Sequence, residues 1–202
     1  MTKRLSPVTI SHLLSVPALA LVALAGFGCA TASNPSLVIH ETPSATVVAA
    51  PEVKPAPPVN VPPLKFVRAD SEEVAADDNR GAKAVDGDLG TIWHTQWQDA
   101  SPACPHEILF ELTSPAAIKG FTYFPRQDDS ENGTIKDYEF YVSNDGQDFG
   151  QPVAKGTFAN SKEKKTVAFA PVTCHFIKLK ALSEVNDAEW TSAAEIDVVP
   201  AN

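Results

Sequence analysis

Between Ala84 and Trp97 the chain reads Ala-Val-Asp-Gly-Asp-Leu-Gly-Thr-Ile-Trp-His-Thr-Gln-Trp. Two kinds of chemistry share this run. Asp86, Gly87 and Asp88 make a tight acidic turn, and Thr91 adds a further oxygen. Hard oxygen donors so close together suit a cation such as Ca²⁺. The plainer reading is that the aspartates simply make a turn. Trp93, His94 and Trp97 follow at once. An indole beside an imidazole suits a ligand with one apolar face and hydroxyls at its edge, as a sugar has. Indoles are mostly well buried, so Trp93 is expected in the core, while Trp97 is open to either role.

The elements that must position these residues are strands. His106–Leu112, Ala117–Phe124, Tyr138–Val142, Lys165–Phe169, Phe176–Lys180 and Ala194–Val199 are short apolar runs between turn residues, several alternating with period two. Ser143-Asn144-Asp145-Gly146 closes one of them as a turn. No helical stripe runs longer than two turns. The pattern predicts an all-β fold, a β-sandwich of jelly-roll type.

Ahead of that domain lies a different texture. Residues 1–28 carry Lys3 and Arg4, then an apolar stretch from Leu13 to Phe27 broken by Pro17. A basic start and a short apolar core read as an export signal, not as a spanning helix. Two cleavage sites compete. Gly28-Cys29-Ala30 resembles a bacterial lipobox with Cys29 as the lipidated residue, although Gly26 stands where that pattern usually has Leu; Ala30-Thr31-Ala32 is an ordinary A-x-A site. Any membrane association is expected through that lipid alone, at the cell envelope. The alternative is secretion. Residues 29–64 hold eight prolines between Pro35 and Pro63, with no glycine and no aromatic residue, and are expected to be an extended, disordered linker before the domain of residues 65–202.

The formal net charge is −9, and losing the signal's two basic residues deepens it by two. So acidic a surface disfavours nucleic acid and anionic headgroups, and leaves neutral ligands unaffected. Beyond Cys29 the cysteines are Cys104 and Cys174. Export makes a disulfide between them the expectation. Two buried free thiols are the next reading, and a zinc site with His106 and His175 the last, since C-P-H and C-H lack the gaps of structural zinc ligands.

Several motifs recur here in a known order: Asp70-Ser71-Glu72-Glu73, Ala84-Val85-Asp86-Gly87, Thr91 to Trp97, Pro105-His106-Glu107-Ile108, Tyr123 to Asp128, Asn132-Gly133, Ser143 to Gly146 and Ala193-Ala194-Glu195-Ile196. Across residues 66–199 the chain resembles the coagulation factor 5/8 type C, or discoidin, domain. More narrowly it is similar to the family 32 carbohydrate-binding modules of bacterial sialidases and fucosidases. The resemblance implies a galactose-binding-like sandwich with a structural Ca²⁺. Asp86 and Glu195 would supply carboxylates, Thr91 an oxygen, and Ala84, Asp88 and Ala194 backbone carbonyls.

It also implies a sugar site on loops at one end of the sandwich. His94, Trp97 and Arg126 match that site, and Trp190 falls at the aromatic platform. Asp77 falls where relatives carry a Glu, one methylene longer. Asn132 adds an amide from the adjoining loop. Galactose offers a continuous apolar face to an indole; Arg126 and His94 would donate to its axial hydroxyl, and a carboxylate would accept from a neighbouring one. Arg126 has a structural alternative as an ion pair with Asp128 or Asp129. The implied protein is a non-catalytic, monomeric binder of a galactose-containing glycan. A glycosidase is disfavoured because the matched acidic residues are already taken by turns or calcium. The other alternative is a cell-envelope adhesion or protein-interaction module with a vestigial sugar site. Its loops lack the protruding Leu, Phe and Met cluster that membrane insertion needs.

Overall fold

The computed structural model describes residues 61–201. The expected signal, Cys29 and most of the proline-rich stretch lie outside the described residues. Among these there are eight strands: β1 (Leu64–Ala69), β2 (Trp93–His94), β3 (His106–Phe124), β4 (Asp137–Ser143), β5 (Ala154–Thr157), β6 (Lys165–Ala181), β7 (Ser192–Ala193) and β8 (Glu195–Pro200). One 3₁₀ turn, Gly81–Val85, interrupts the loop between β1 and β2. All the strand pairs are antiparallel. β1 begins at Leu64, and Val61 packs on the core, so the folded part reaches into the end of the expected linker.

Four of the expected strands fuse into two. His106–Leu112 and Ala117–Phe124 are the halves of β3; Lys165–Phe169 and Phe176–Lys180 are the halves of β6. Their mutual pairing jumps from Glu111–Phe176 to Ala116–Cys174, and again from Ile118–Val172 to Gly120–Ala168. Pro115 and Pro171 sit in the skipped segments. Proline has no N–H to give a ladder, yet its φ suits extended chain, so pairing lapses while the strand continues.

These two long strands serve both layers of the sandwich. The first half of β3 pairs with β1 and with the second half of β6, which β4 and β5 extend. The second half of β3 pairs with β8. The layers meet through Phe121, which stacks on Phe140 of β4 at 4.1 Å between ring centroids and 3° between planes. Tyr138 stacks on Phe158 at 4.1 Å. Trp93 is 1% exposed, as expected, and its indole N–H donates to the Ser71 carbonyl at 2.9 Å. Burying each of these large side chains contributes roughly 2–3 kcal/mol.

The expected disulfide is absent. Both thiols are free, and burial pushes them above the ordinary cysteine range. Strands expected to begin at His106 and Phe176 would leave each cysteine just ahead of one, but Cys174 lies within β6, opposite Ala116, whereas Cys104 precedes His106, which pairs with Ala181. Seven residues of strand from Cys174 to Ala181 span about 23 Å, far beyond the roughly 7 Å between Cα atoms that a disulfide tolerates. The same separation rules out a shared zinc.

Candidate functional site

Six residues singled out from the sequence, Asp77, His94, Trp97, Arg126, Asn132 and Trp190, line one cleft of about 250 Å³, joined by Asn79, Ile92 and Ser130. Five separate loops and strand ends deliver them.

A two-residue ribbon makes the first junction. β2 pairs with β7, setting Trp93 opposite Ala193 and His94 opposite Ser192. Beyond the ribbon, Thr95 and Thr191 bond reciprocally: the Thr95 N–H donates to the Thr191 carbonyl and the Thr191 N–H to the Thr95 hydroxyl, each at 2.9 Å. His94 and Trp190 thereby stand 6.4 Å apart. The Trp190 N–H donates to the Ser101 hydroxyl at 2.9 Å, which fixes the plane of the half-buried indole.

Buried carboxylates hold the loops. Glu73 is fully buried, and its Oε1 accepts from the N–H groups of Ala75 and Ala76 while Oε2 accepts from those of Trp97 and Gln98. Chiefly through the Trp97 bond, these hold its carboxyl down at about 2. One side chain thus ties the loop carrying Asp77 and Asn79 to the loop carrying Trp97. Glu184, 1% exposed, accepts from Gly133, Asn186 and Ala188 and joins the Asn132 loop to the segment approaching Trp190. Gly133 has φ +82, and a Cβ there would stand 2.7 Å from the Ser192 nitrogen. Only glycine permits that approach, which seats Asn132 beside Ser192.

His106 makes the last tie. Its Nδ1 meets the Asp70 carboxylate at 2.8 Å, and its Nε2 meets the carbonyls of Glu189 at 2.9 Å and Pro102 at 3.1 Å. None of these partners can donate, so both nitrogens carry protons. Burial opposes the charge, but Asp70 and the carbonyls outweigh it and hold the imidazole above its usual range. The pair fixes Glu189, the residue before Trp190.

Two cleft residues differ from expectation. Arg126 does pair with Asp128, through Nε at 2.6 Å and through a second guanidinium nitrogen, and it also donates to the Asn132 carbonyl at 3.2 Å. It lines the cleft nonetheless. Three of its five N–H groups are committed, and two remain for a ligand. His94 was expected to donate. Its Nδ1 lies 2.6 Å from the Thr95 carbonyl and must donate there. Burial foremost, with the Arg126 charge, pushes its pKa down and favours the neutral ring. A neutral ring protonated at Nδ1 offers Nε2 as an acceptor.

The acidic loop is a separate cluster. Asp86 accepts from the Asp88 N–H at 2.9 Å and the Thr91 hydroxyl at 2.8 Å, and Glu195 accepts from the Gly87 N–H. Burial, then repulsion from Asp86 and Asp197, raises the Glu195 carboxyl above its usual range. Among the described residues no three His, Cys, Asp or Glu side chains converge as a metal set. The donors gathered here are two carboxylates and a hydroxyl, all hard oxygens, a chemistry that fits Ca²⁺.

Glu73, Glu184, Asp70 and His106 were not assigned to the site from sequence. Glu73 and Asp70 fall within the motif Asp70-Ser71-Glu72-Glu73 and His106 within Pro105-His106-Glu107-Ile108, which were the available signals; Glu184 lies in none of them.

An antiparallel sandwich with a loop-end cleft bearing indole, guanidinium, imidazole, amide and carboxylate groups belongs to the class of galactose-binding-like β-sandwich domains. The chain is a member of the F5/8 type C domain family, whose model matches residues 67–196. It is 38% identical over 136 residues to a sialidase of Micromonospora viridifaciens, covering 67% of this chain and 21% of that protein. It is 35% identical over 129 residues to a galactose oxidase of Gibberella zeae, covering 63% and 19%. The chain therefore spans about a fifth of these relatives.

Among solved structures, a family 32 carbohydrate-binding module from Clostridium perfringens in complex with GalNAc-β-1,3-galactose aligns with TM-score 0.62 and 34% identity, over 67% of this chain and 94% of that one. The family 32 module of C. perfringens NanJ, in complex with galactose, aligns with TM-score 0.59 and 31% identity, over 67% and 92%.

Proposed function

We propose that this protein is a non-catalytic carbohydrate-binding protein whose loop-end cleft takes a terminal galactose or N-acetylgalactosamine residue. The observation that carries the reading is the convergence of Asp77, His94, Trp97, Arg126, Asn132 and Trp190 on one cleft of about 250 Å³. Trp190, pinned edge-on by Ser101, is the platform for the sugar's apolar face. The axial hydroxyl is served from both sides: Arg126 donates to its oxygen, and Nε2 of His94 accepts its proton. Asp77 and Asn132 address the neighbouring hydroxyls. A single carboxylate, Asp77, lines the cleft, whereas glycoside hydrolysis ordinarily uses two. The modules from C. perfringens with galactose or GalNAc-β-1,3-galactose support the choice of sugar.

Under the same reading, Asp86, Glu195 and Thr91, with the carbonyls of Ala84, Asp88 and Ala194, hold a structural Ca²⁺, which neutralises the carboxylates and ties the acidic loop to the last strand. The protein is exported and displayed at the cell envelope through a lipid on Cys29.

Calorimetric titration with galactose, lactose and glucose tests the sugar site. Arg126→Ala should cost about 1–3 kcal/mol toward galactose, roughly 5- to 150-fold, and erase its advantage over glucose. Trp190→Ala should weaken all hexoses alike, because it removes apolar contact and no directed bond. Absence of heat with every sugar at millimolar concentration would overturn the assignment.

A further inference from the structure

A second cleft, of about 460 Å³, opens beside the first and shares Asp77, Asn79, Ile92 and Arg126 with it as a common wall. It extends toward Lys83, Leu89 and Gln127, none of which borders the first cleft. Leu89, 39% exposed, lines the second cleft and with Ile92 gives it an apolar surface. The polar rim has hydrogen-bonding capacity to spare. Gln127 commits its N–H₂ to the carbonyls of Pro125 and Lys162, which leaves its amide oxygen. The side chains of Asp77 and Asn79, at the junction, make no hydrogen bond among the described residues. Lys83, half-buried, reaches the exposed Asp78 only at 3.5 Å, a pairing easily exchanged.

Two apolar side chains edged by polar groups with capacity to spare, with Lys83 and Arg126 balanced by Asp77 and by Asp128, which Arg126 already pairs, are complementary to an uncharged pyranose and not to a carboxylated one. We infer that the second cleft is a subsite for a neutral sugar residue linked to the galactose in the first, so that the protein reads at least a disaccharide. This rests on the sugar-binding reading above and adds to it the direction in which the glycan leaves: across Asn79 and Ile92 toward Leu89. Val74, 54% exposed, borders neither cleft and serves as a control position.

The test is calorimetry on the full chain with galactose, lactose, galactose-β-1,3-N-acetylgalactosamine and galactose-β-1,3-N-acetylglucosamine, using wild type and the variants Leu89→Ala, Lys83→Ala and Val74→Ala. At least one disaccharide should bind five- to tenfold more tightly than galactose. Leu89→Ala should reduce that advantage below twofold, and Lys83→Ala, outside the acidic loop, should reduce it too. Both should leave galactose affinity within twofold of wild type, and Val74→Ala should change neither quantity. Galactose binding with no advantage for any disaccharide, or an advantage that survives both substitutions or disappears in Val74→Ala, overturns the subsite alone. Failure of every sugar to bind overturns it together with the reading on which it rests.

Discussion

Glu73 and Glu195 are both carboxylates in loop-rich parts of the sandwich, and their surroundings treat them in opposite ways. Glu73 receives four backbone N–H groups and titrates near 2. Glu195 receives the Gly87 N–H, faces Asp86 and Asp197, and titrates above its usual range. A carboxylate saturated by backbone donors is a strut: its charge is already answered, and it organises the loops around it. Carboxylates crowded together with fewer donors retain an unanswered charge, which a cation can satisfy. The region under the cleft is therefore self-sufficient, whereas the acidic loop, under the calcium proposal, is completed by the ion.

Removing the strut should have the largest effect. Glu73→Ala strands four N–H donors in a buried setting and should lower Tm by roughly 10 °C, with galactose affinity lost as the Asp77 and Trp97 loops separate. Because the folded Glu73 carboxyl lies below its ordinary value, its contribution is present above about pH 4.5 and is lost as pH falls toward 2. An acid titration of stability should show that limb in wild type and a smaller one in Glu73→Gln. An unchanged acid limb in the variant would show that Glu73 is not the strut.

A smaller effect is expected at the acidic loop, and it should depend on calcium. Calcium at a hundredfold excess over its Kd should add about 2.7 kcal/mol of stability, and chelation should remove it. Asp86→Ala and Glu195→Ala should make Tm insensitive to calcium and chelator alike, whereas Glu73→Gln should keep the response. A wild-type melting temperature indifferent to calcium would dissolve the contrast between the two regions.

The smallest effect is expected at Asp88. Its side chain caps the Gly90 N–H at 2.8 Å in an exposed turn, and its part in the calcium reading is a carbonyl. Asp88→Ala should move Tm by no more than roughly 1–2 °C and keep the calcium response. Loss of that response would make the Asp88 carboxylate a ligand and enlarge the set.

Four of the cleft residues, His94, Trp97, Arg126 and Asn132, could be named in advance because each belongs to a short motif, and a motif carries its side chains wherever the fold takes it; Asp77 and Trp190 lie outside those motifs and were named only by where the resemblance places a carboxylate and an aromatic platform. Trp93 could be placed in the core by its size. The struts were harder to read, since a Glu that caps four N–H groups looks, along the chain, like any Glu in a polar run. β2 and β7 are two residues each and have no period to detect. The disulfide expectation failed for a related reason. Apolar runs located the halves of β6, but their fusion into one strand put Cys174 in mid-strand and Cys104 near the opposite end of the pairing.

Composition and period determined an all-β domain with a proline-rich approach, because alternation and turn residues are local properties of the chain. Residue type determined which side chains could meet a cation or a sugar. Only the tertiary structure decided that Asp77, His94, Arg126, Asn132 and Trp190 share one cleft. Their loops are brought together by bonds between residues far apart in sequence: Thr95 to Thr191, His106 to Glu189, Glu73 to Trp97. It also decided that His94 accepts where donation was expected. The tautomer of a neutral imidazole is set by whichever nitrogen meets an obligate acceptor, and here the Thr95 carbonyl, fixed by the β2–β7 ribbon, makes that choice.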